Sequence, residues 1–246
     1  MSEIVYPPVI VTALTLFRAL DLKLHIEGAD HVPRQGGAVL VSNHISYLDF
    51  IFAGMGARRS RRLVRFLAKK EVFDHRISGP LMRGMHHIPV DRAAGAGSYA
   101  ASLRALKAGE VVGVFAEGTI SRSFTVKEIK NGAIRMAAAS GVPIIPVGLW
   151  GTQRLWTKGR PRNLLQRHVP ITILVGEPIH PKRGDDMAAR TGELHTRLTE
   201  LLDRAQRTYP EIPQGVWWQP RHLGGTAPTP EEAAAMDEAE AAKSGD

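Results

Sequence analysis

The stretch Ala38-Val39-Leu40-Val41-Ser42-Asn43-His44-Ile45-Ser46-Tyr47-Leu48-Asp49-Phe50 decides how this chain reads. Four consecutive apolar residues, Ala38 to Val41, have the pattern of a short buried strand. Leu48 to Met55 reads as the opening of a helix. A histidine therefore leaves a strand, and a carboxylate follows five positions later in a first helical turn. Within one helix, residues five apart diverge by roughly 140°, so His44 and Asp49 would not meet. With His44 in the turn before the helix, its ring folds back towards Asp49, and an imidazole beside a carboxylate is what a general base needs. The same residues carry a second reading. Ser46-x-x-Asp49 has capping-box spacing, with Ser46 as N-cap and His44 as an ordinary turn residue. On this stretch alone the two readings stand level.

Outward from it, further apolar runs alternate with helical patterns. Leu22–Glu27, Leu63–Ala68, Gly84–Arg92, Glu110–Phe115, Val142–Trp150 and Ile171–Gly176 read as strands, and Ala94–Ala108, Ala133–Ala139 and Gly184–Arg207 as helices. This order predicts a single α/β domain over residues 25–222, with a mixed, largely parallel central sheet flanked by helices. In such folds the strand ends gather at one edge and build a site.

The two ends of the chain differ from this body. The uncharged run Ile4–Phe17 is shorter than the roughly 20 apolar residues that span a bilayer, and it lacks a basic n-region and cleavage site. Residues 1–24 are expected to form a membrane-associating helix at the bilayer surface, with packing on the core as the alternative. From Gly224 the chain is rich in Pro, Ala and acids. Thr229-Pro230-Glu231-Glu232 is a good helix opening, but little beyond it offers a face to bury. Residues 223–246 are therefore expected to be disordered or a frayed helix.

Composition narrows the chemistry. Cysteine is absent, which rules out disulfides, a thiol nucleophile and cysteine-based metal sites. The absence also fits a cytoplasmic protein. The net charge is +8, but from Thr229 onward six acids and one lysine give −5, so residues 1–228 carry +13. A body this basic suits an anionic partner. Arg58, Arg59, Arg61, Arg62, Lys69 and Lys70 form the densest basic cluster, read as a patch for membrane phosphates or a phosphorylated carrier rather than a solvated face. Only Phe66 is interleaved with these charges, so nucleic acid is not expected. His86 and His87 are neighbours on a strand pattern and would point to opposite faces, so no metal site is expected there.

Three further segments carry candidate groups. Arg92 leaves a strand end, where a guanidinium is able to grip a phosphate through paired hydrogen bonds. The run Ala116-Glu117-Gly118-Thr119-Ile120-Ser121-Arg122-Ser123 looks like an oxyanion-binding turn, without the Lys-Ser/Thr ending of a P-loop. Lys127 and Lys130 precede a helix N-terminus, which also favours anions. Val142-Pro143-Ile144-Ile145-Pro146-Val147 reads as an apolar wall.

At these residues the chain resembles the glycerolipid acyltransferases typified by lysophosphatidic acid acyltransferase. The likeness runs over roughly residues 35–180. Its blocks are Asn43-His44-x4-Asp49, Gly84 to Arg92, Phe115-Ala116-Glu117-Gly118-Thr119, and Val142 to Val147 with Pro146, in family order and spacing. Two positions depart from the family pattern: Ala116 stands where proline is usual, and the arginine after the threonine is displaced to Arg122.

The resemblance implies transfer of a fatty acyl group from an acyl thioester (acyl-CoA or acyl carrier protein) to lysophosphatidic acid, giving phosphatidic acid. It implies His44 as base and Asp49 as its orienter. Arg92, Glu117, Gly118, Thr119, Arg122 and Lys130 would hold the phosphorylated glycerol, with Val142 and Pro146 as an acyl or structural wall. Glu117, itself anionic, would orient Arg92 or a glycerol hydroxyl. No cofactor is expected, and the protein is expected to sit peripherally on the cytoplasmic face of the cell membrane. Glycerol 3-phosphate or another lipid hydroxyl is the alternative acceptor, and a basic membrane-binding protein without catalysis is the alternative from outside the enzymes.

Overall fold

The central strand β2 (Ala38–Ser42) is buried at every position, as a strand covered on both faces must be. The computed structural model describes residues 3–91 and 95–244. Before β2 come α1 (Tyr6–Ala19) and β1 (Lys23–Glu27). After it follow α2 (Asp49–Gly56), β3 (Val64–Lys69), α3 (Lys70–Asp74), α4 (Ser78–Gly84), β4 (Ile88–Val90) and α5 (Gly95–Lys107). The remainder is β5 (Val111–Val114), α6 (Gly132–Ser140), β6 (Ile144–Trp150), β7 (Pro170–Val175), α7 (Met187–Arg207) and α8 (Pro230–Ser244).

Seven strands form one sheet in the order β1-β7-β6-β2-β5-β3-β4. Every pairing is parallel except β6 with β7, so the sheet is mixed and mostly parallel. Alternation along the strands sorts side chains to two faces. Ala38 and Leu40, with Ile145 and Val147, pack towards α1 and α2, where Phe17 stacks on Phe52 at 4.9 Å. Val39, Val41, Val112 and Ile144 pack towards α5, α6 and α7, where Leu106, Ile134, Leu194 and Leu198 close the other layer. The result is a single α/β domain with helices on both faces. Because β2, β3, β4, β5 and β6 run the same way, their carboxyl ends share one edge, and the turn bearing His44 stands in the middle of it.

The ends of the chain are both helical. α1 buries Tyr6 and Phe17 against the domain while leaving Val11 and Leu16 exposed. Among the described residues no helix is long and apolar enough to cross a membrane. Of the two expectations for the tail, the structure has the helix, over Pro230–Ser244. Asp237 is gripped by Arg122, Lys127 and Lys158, partners more than 75 residues away in sequence.

Candidate active site

Leaving β2, the chain makes a turn over Asn43–Leu48 before α2 begins at Asp49. The His44 ring folds back so that its Nδ1 stands 3.0 Å from Asp49 Oδ2. A carboxylate only accepts, so Nδ1 carries the hydrogen and Nε2 is left as an acceptor. The ring lies on Phe115 at 4.2 Å and 20°, which fixes its plane. Its side chain keeps 19% exposure against 0% for Asp49, and no hydrogen bond from a described residue reaches Nε2.

Asp49 does more than orient the ring. Its Oδ2 also accepts the N–H groups of Ile45 and Ser46, both at 2.7 Å, and Oδ1 accepts the Thr152 hydroxyl at 2.6 Å. The carboxylate therefore ties down the backbone of the turn and partners the histidine together. Ser46 braces the same turn, its hydroxyl accepting the Leu48 N–H at 3.1 Å and donating to the Trp156 carbonyl at 2.6 Å. It does not cap α2, whose N-cap is Leu48 without a side-chain cap.

Neighbouring loops hold the turn from two more sides. Ser121 N–H donates to the His44 carbonyl at 2.7 Å, and the Thr157 hydroxyl donates to the Ile45 carbonyl at 2.6 Å. Beneath it, the Asn43 amide donates to the Leu149 carbonyl at 3.1 Å and accepts the Leu149 N–H at 2.7 Å, tying the end of β2 to β6. A supporting role for Asn43 beneath the turn is the one expected of it, whereas sequence reasoning missed Thr152, Trp156 and Thr157 altogether. The one available signal was Gly151-Thr152 directly after a buried strand. Gly151 has φ 98°, and a Cβ there would stand 2.1 Å from the Pro170 carbonyl oxygen, so only glycine makes this bend.

The Glu-Gly-Thr block follows β5, the strand beside β2. Glu117 is buried and faces the protein. One carboxyl oxygen accepts the His44 N–H at 2.8 Å, the other the Lys127 N–H at 2.9 Å. Burial pushes this carboxyl up to about 8, against both N–H groups, which favour its charged form, while nearby Asp49 pushes the same way as burial. Glu117 is thus a buttress of the His44 turn. Gly118 turns the chain with φ 74°, and Thr119 Oγ1 accepts from Lys127 Nζ at 2.8 Å. Lys130 is exposed and passes Gly118 with its Cε 4.0 Å from where a Cβ would stand.

Arg122 is held by acids of the carboxyl-terminal helix. It is paired with Asp237 at 3.0 Å and Glu240 at 2.8 Å, with its side chain 10% exposed. Burial opposes the charge on Asp237, yet hydrogen bonds from Lys127, Lys158 and Arg122 hold it down at about 2. The run Val142–Val147 has the structural role of the two it could have. Pro146 pairs with Val41 inside the sheet, and Val142 precedes β6 at the opposite edge, on the order of 20 Å along the strands from His44. Both residues build the core and not the site.

Arg92 lies outside the described residues. The strand leading to it, β4, is three strands from β2, roughly 14 Å across the sheet. Beside the end of β4 is an open cavity of about 710 Å³ bordered by Lys70, Arg83, His86, His87 and Asp91. His87 is a core residue: its Nδ1 accepts the Phe66 N–H at 3.0 Å, and burial pushes it down to about 4. The basic cluster divides. Arg62 donates to the carbonyls of Pro33, Gly36 and Gly109, while Arg65, between its two halves, is buried between Glu3 and Glu110. Arg58, Arg59, Arg61, Lys69 and Lys70 remain exposed.

Comparison with known proteins agrees with this architecture. Residues 23–150 match the model of the Acyltransferase family. A 1-acyl-sn-glycerol-3-phosphate acyltransferase of Bacillus subtilis is 28% identical over 203 residues, covering 78% of this chain and 94% of the relative. A chloroplastic enzyme of the same name from Arabidopsis thaliana is 30% identical over 185 residues, covering 74% of this chain but only 49% of its own length. The crystal structure of the 1-acyl-sn-glycerophosphate acyltransferase PlsC from Thermotoga maritima shares the fold, with a TM-score of 0.65 at 22% identity over 79% of this chain and 77% of that one. With more than half of its length matched by that family model, the chain belongs to the acyltransferase family.

Proposed function

We propose that the chain transfers a fatty acyl group from an acyl thioester to the free hydroxyl of lysophosphatidic acid, giving phosphatidic acid. The observation that carries this reading is the 3.0 Å contact between His44 Nδ1 and Asp49 Oδ2, which leaves Nε2 as the proton acceptor. His44 Nε2 takes the proton of the acceptor hydroxyl as its oxygen attacks the thioester carbonyl. Asp49 fixes the tautomer and stabilises the imidazolium that forms. The tetrahedral intermediate collapses with loss of the thiolate, which recovers the proton from His44. The products are the new ester and a free thiol. With neither a cysteine nor a Gly-x-Ser-x-Gly turn in the sequence, we take transfer to be direct, without an acyl-enzyme.

The names of the relatives support this acceptor. Arg92 and Lys130 are assigned to the same phosphorylated acceptor. The donor is acyl-CoA or acyl carrier protein, and no cofactor takes part. The exposed apolar residues of α1, with the exposed arginines and lysines near β3, support peripheral binding to the anionic cytoplasmic face of the cell membrane.

The experiment is lipid analysis of the products when purified protein receives acyl-CoA and a panel of acceptors. Phosphatidic acid is expected from lysophosphatidic acid. Transfer only to non-phosphorylated alcohols would contradict the acceptor assignment.

A further inference from the structure

The acidic helix α8 rests on cations of the loops that brace the His44 turn. Arg122 follows Ser121, whose N–H holds the His44 carbonyl, and Lys158 follows Thr157, whose hydroxyl holds the Ile45 carbonyl. Lys127 donates its own N–H to Glu117 and its Nζ to Thr119. The three side chains are 10%, 17% and 31% exposed for Arg122, Lys158 and Lys127.

Asp237 fills the space among them. Its Oδ1 accepts from Arg122 Nε at 3.0 Å and Lys158 Nζ at 2.7 Å, and its Oδ2 from Lys127 Nζ at 2.9 Å. Glu240 Oε2 adds contacts to Arg122 at 2.8 Å and Lys158 at 2.6 Å. A cavity of about 210 Å³ adjoins the cluster, bordered by Arg160, Trp217 and Met236. Three cations aimed at one small anion are matched more fully by a phosphate, which brings more oxygens and more charge than a carboxylate. The grip of α8 is mainly ionic, since most of its apolar residues are alanines and Met236 is 45% exposed.

We propose that Arg122, Lys127 and Lys158 form a binding site for a phosphate monoester, and that Asp237 and Glu240 occupy it as a built-in competitor which the phosphorylated acceptor displaces. The ligand's identity rests on the acceptor reading given above. The site itself does not. α8 is then a gate whose closed state lowers apparent affinity by the fraction of molecules in which the cations are free.

Hydrogen-exchange mass spectrometry on the full chain tests the displacement, with inorganic phosphate, glycerol 3-phosphate, lysophosphatidic acid and glycerol as separate additions. Amides of residues 230–244 should exchange several-fold faster with each phosphate compound and be unchanged with glycerol. The double variant D237N/E240Q should lower KM for lysophosphatidic acid about three- to tenfold, with kcat within about twofold. Unchanged or slower exchange with phosphate, or an unchanged KM in the variant, would overturn the gate and make α8 a static clamp. If K158Q binds inorganic phosphate as tightly as the unaltered chain, the cluster is not the site, although acyl transfer to lysophosphatidic acid would stand. If no phosphorylated acceptor is acylated, the functional reading fails, and the inorganic-phosphate measurement still decides the site.

Discussion

His44 and His87 stand at the two ends of one file of rings. His44 lies on Phe115 at 4.2 Å, Phe115 on Phe66 at 5.8 Å, and Phe66 against His87 at 5.9 Å. Both side chains adjoin parallel strands of the same sheet, and both engage a partner through Nδ1. At His44 that partner is the Asp49 carboxylate, an acceptor, so the hydrogen sits on Nδ1 and Nε2 is a base at the rim. At His87 it is the Phe66 N–H, a donor, so the hydrogen sits on Nε2 and the ring is a buried strut between β3 and β4. The chemistry of a histidine in this fold is set by what stands opposite Nδ1, not by its place at a strand end.

Asp49→Asn should have the largest effect, because it replaces the acceptor that makes His44 a base. The carboxamide has one acceptor oxygen where Ile45, Ser46, Thr152 and His44 present four donors. Acyl transfer should fall by about 10³-fold or more, and stability by about 2–4 kcal/mol, measured by steady-state kinetics and denaturant unfolding. A residue that merely capped α2 would cost about 1 kcal/mol and leave turnover intact.

The pH dependence of stability should report the other end of the file. The folded pKa of His87 is pushed down to about 4 by burial, with Arg65 and His86 adding to the shift, from an ordinary 6.5. Between these values the unfolded chain binds a proton that the folded chain does not. Stability from this group is therefore complete above about pH 6.5 and lost as pH falls towards 4, by about 3 kcal/mol in all. Subtracting the unfolding curve of His87→Asn from that of the unaltered chain should isolate this slope. A flat difference would make His87 resemble a solvated residue.

A smaller effect is expected from Asn43→Ala, which leaves the buried N–H and C=O of Leu149 without their partner. Denaturant unfolding should register a loss of about 2 kcal/mol. The His44 turn is footed on this amide, so activity should fall further than the stability change accounts for. His87 has no such footing.

The parts of this molecule that could be read from residues are those whose cause is local. Ala38–Val41 and Val142–Trp150 are apolar runs because parallel strands are covered on both faces, and that signal survives in sequence. The approach of His44 to Asp49 follows from turn and helix geometry across six residues. What escaped was set by distant partners. Thr152 serves Asp49 from 103 positions away, and nothing in its neighbourhood distinguishes it from a surface threonine. Glu117 sits in the expected block, but its burial and its two N–H partners face inward, so the block's order was legible and the direction of its side chain was not. Arg62 reads as part of a basic surface because a charge run carries no record of the three carbonyls that this residue serves. Similarly, α8 has the composition of a disordered tail and is ordered by cations supplied from two other loops.

The most direct test of the contrast between the two rings is to measure kcat/KM and Tm of His44→Gln and His87→Gln side by side. His44→Gln should lose activity by about 10³-fold with Tm changed by only a few degrees. His87→Gln should lose Tm and keep kcat/KM within about threefold at a temperature where it remains folded. Comparable activity losses in both variants, or retained turnover in His44→Gln, would contradict the assignment of His44 as the base.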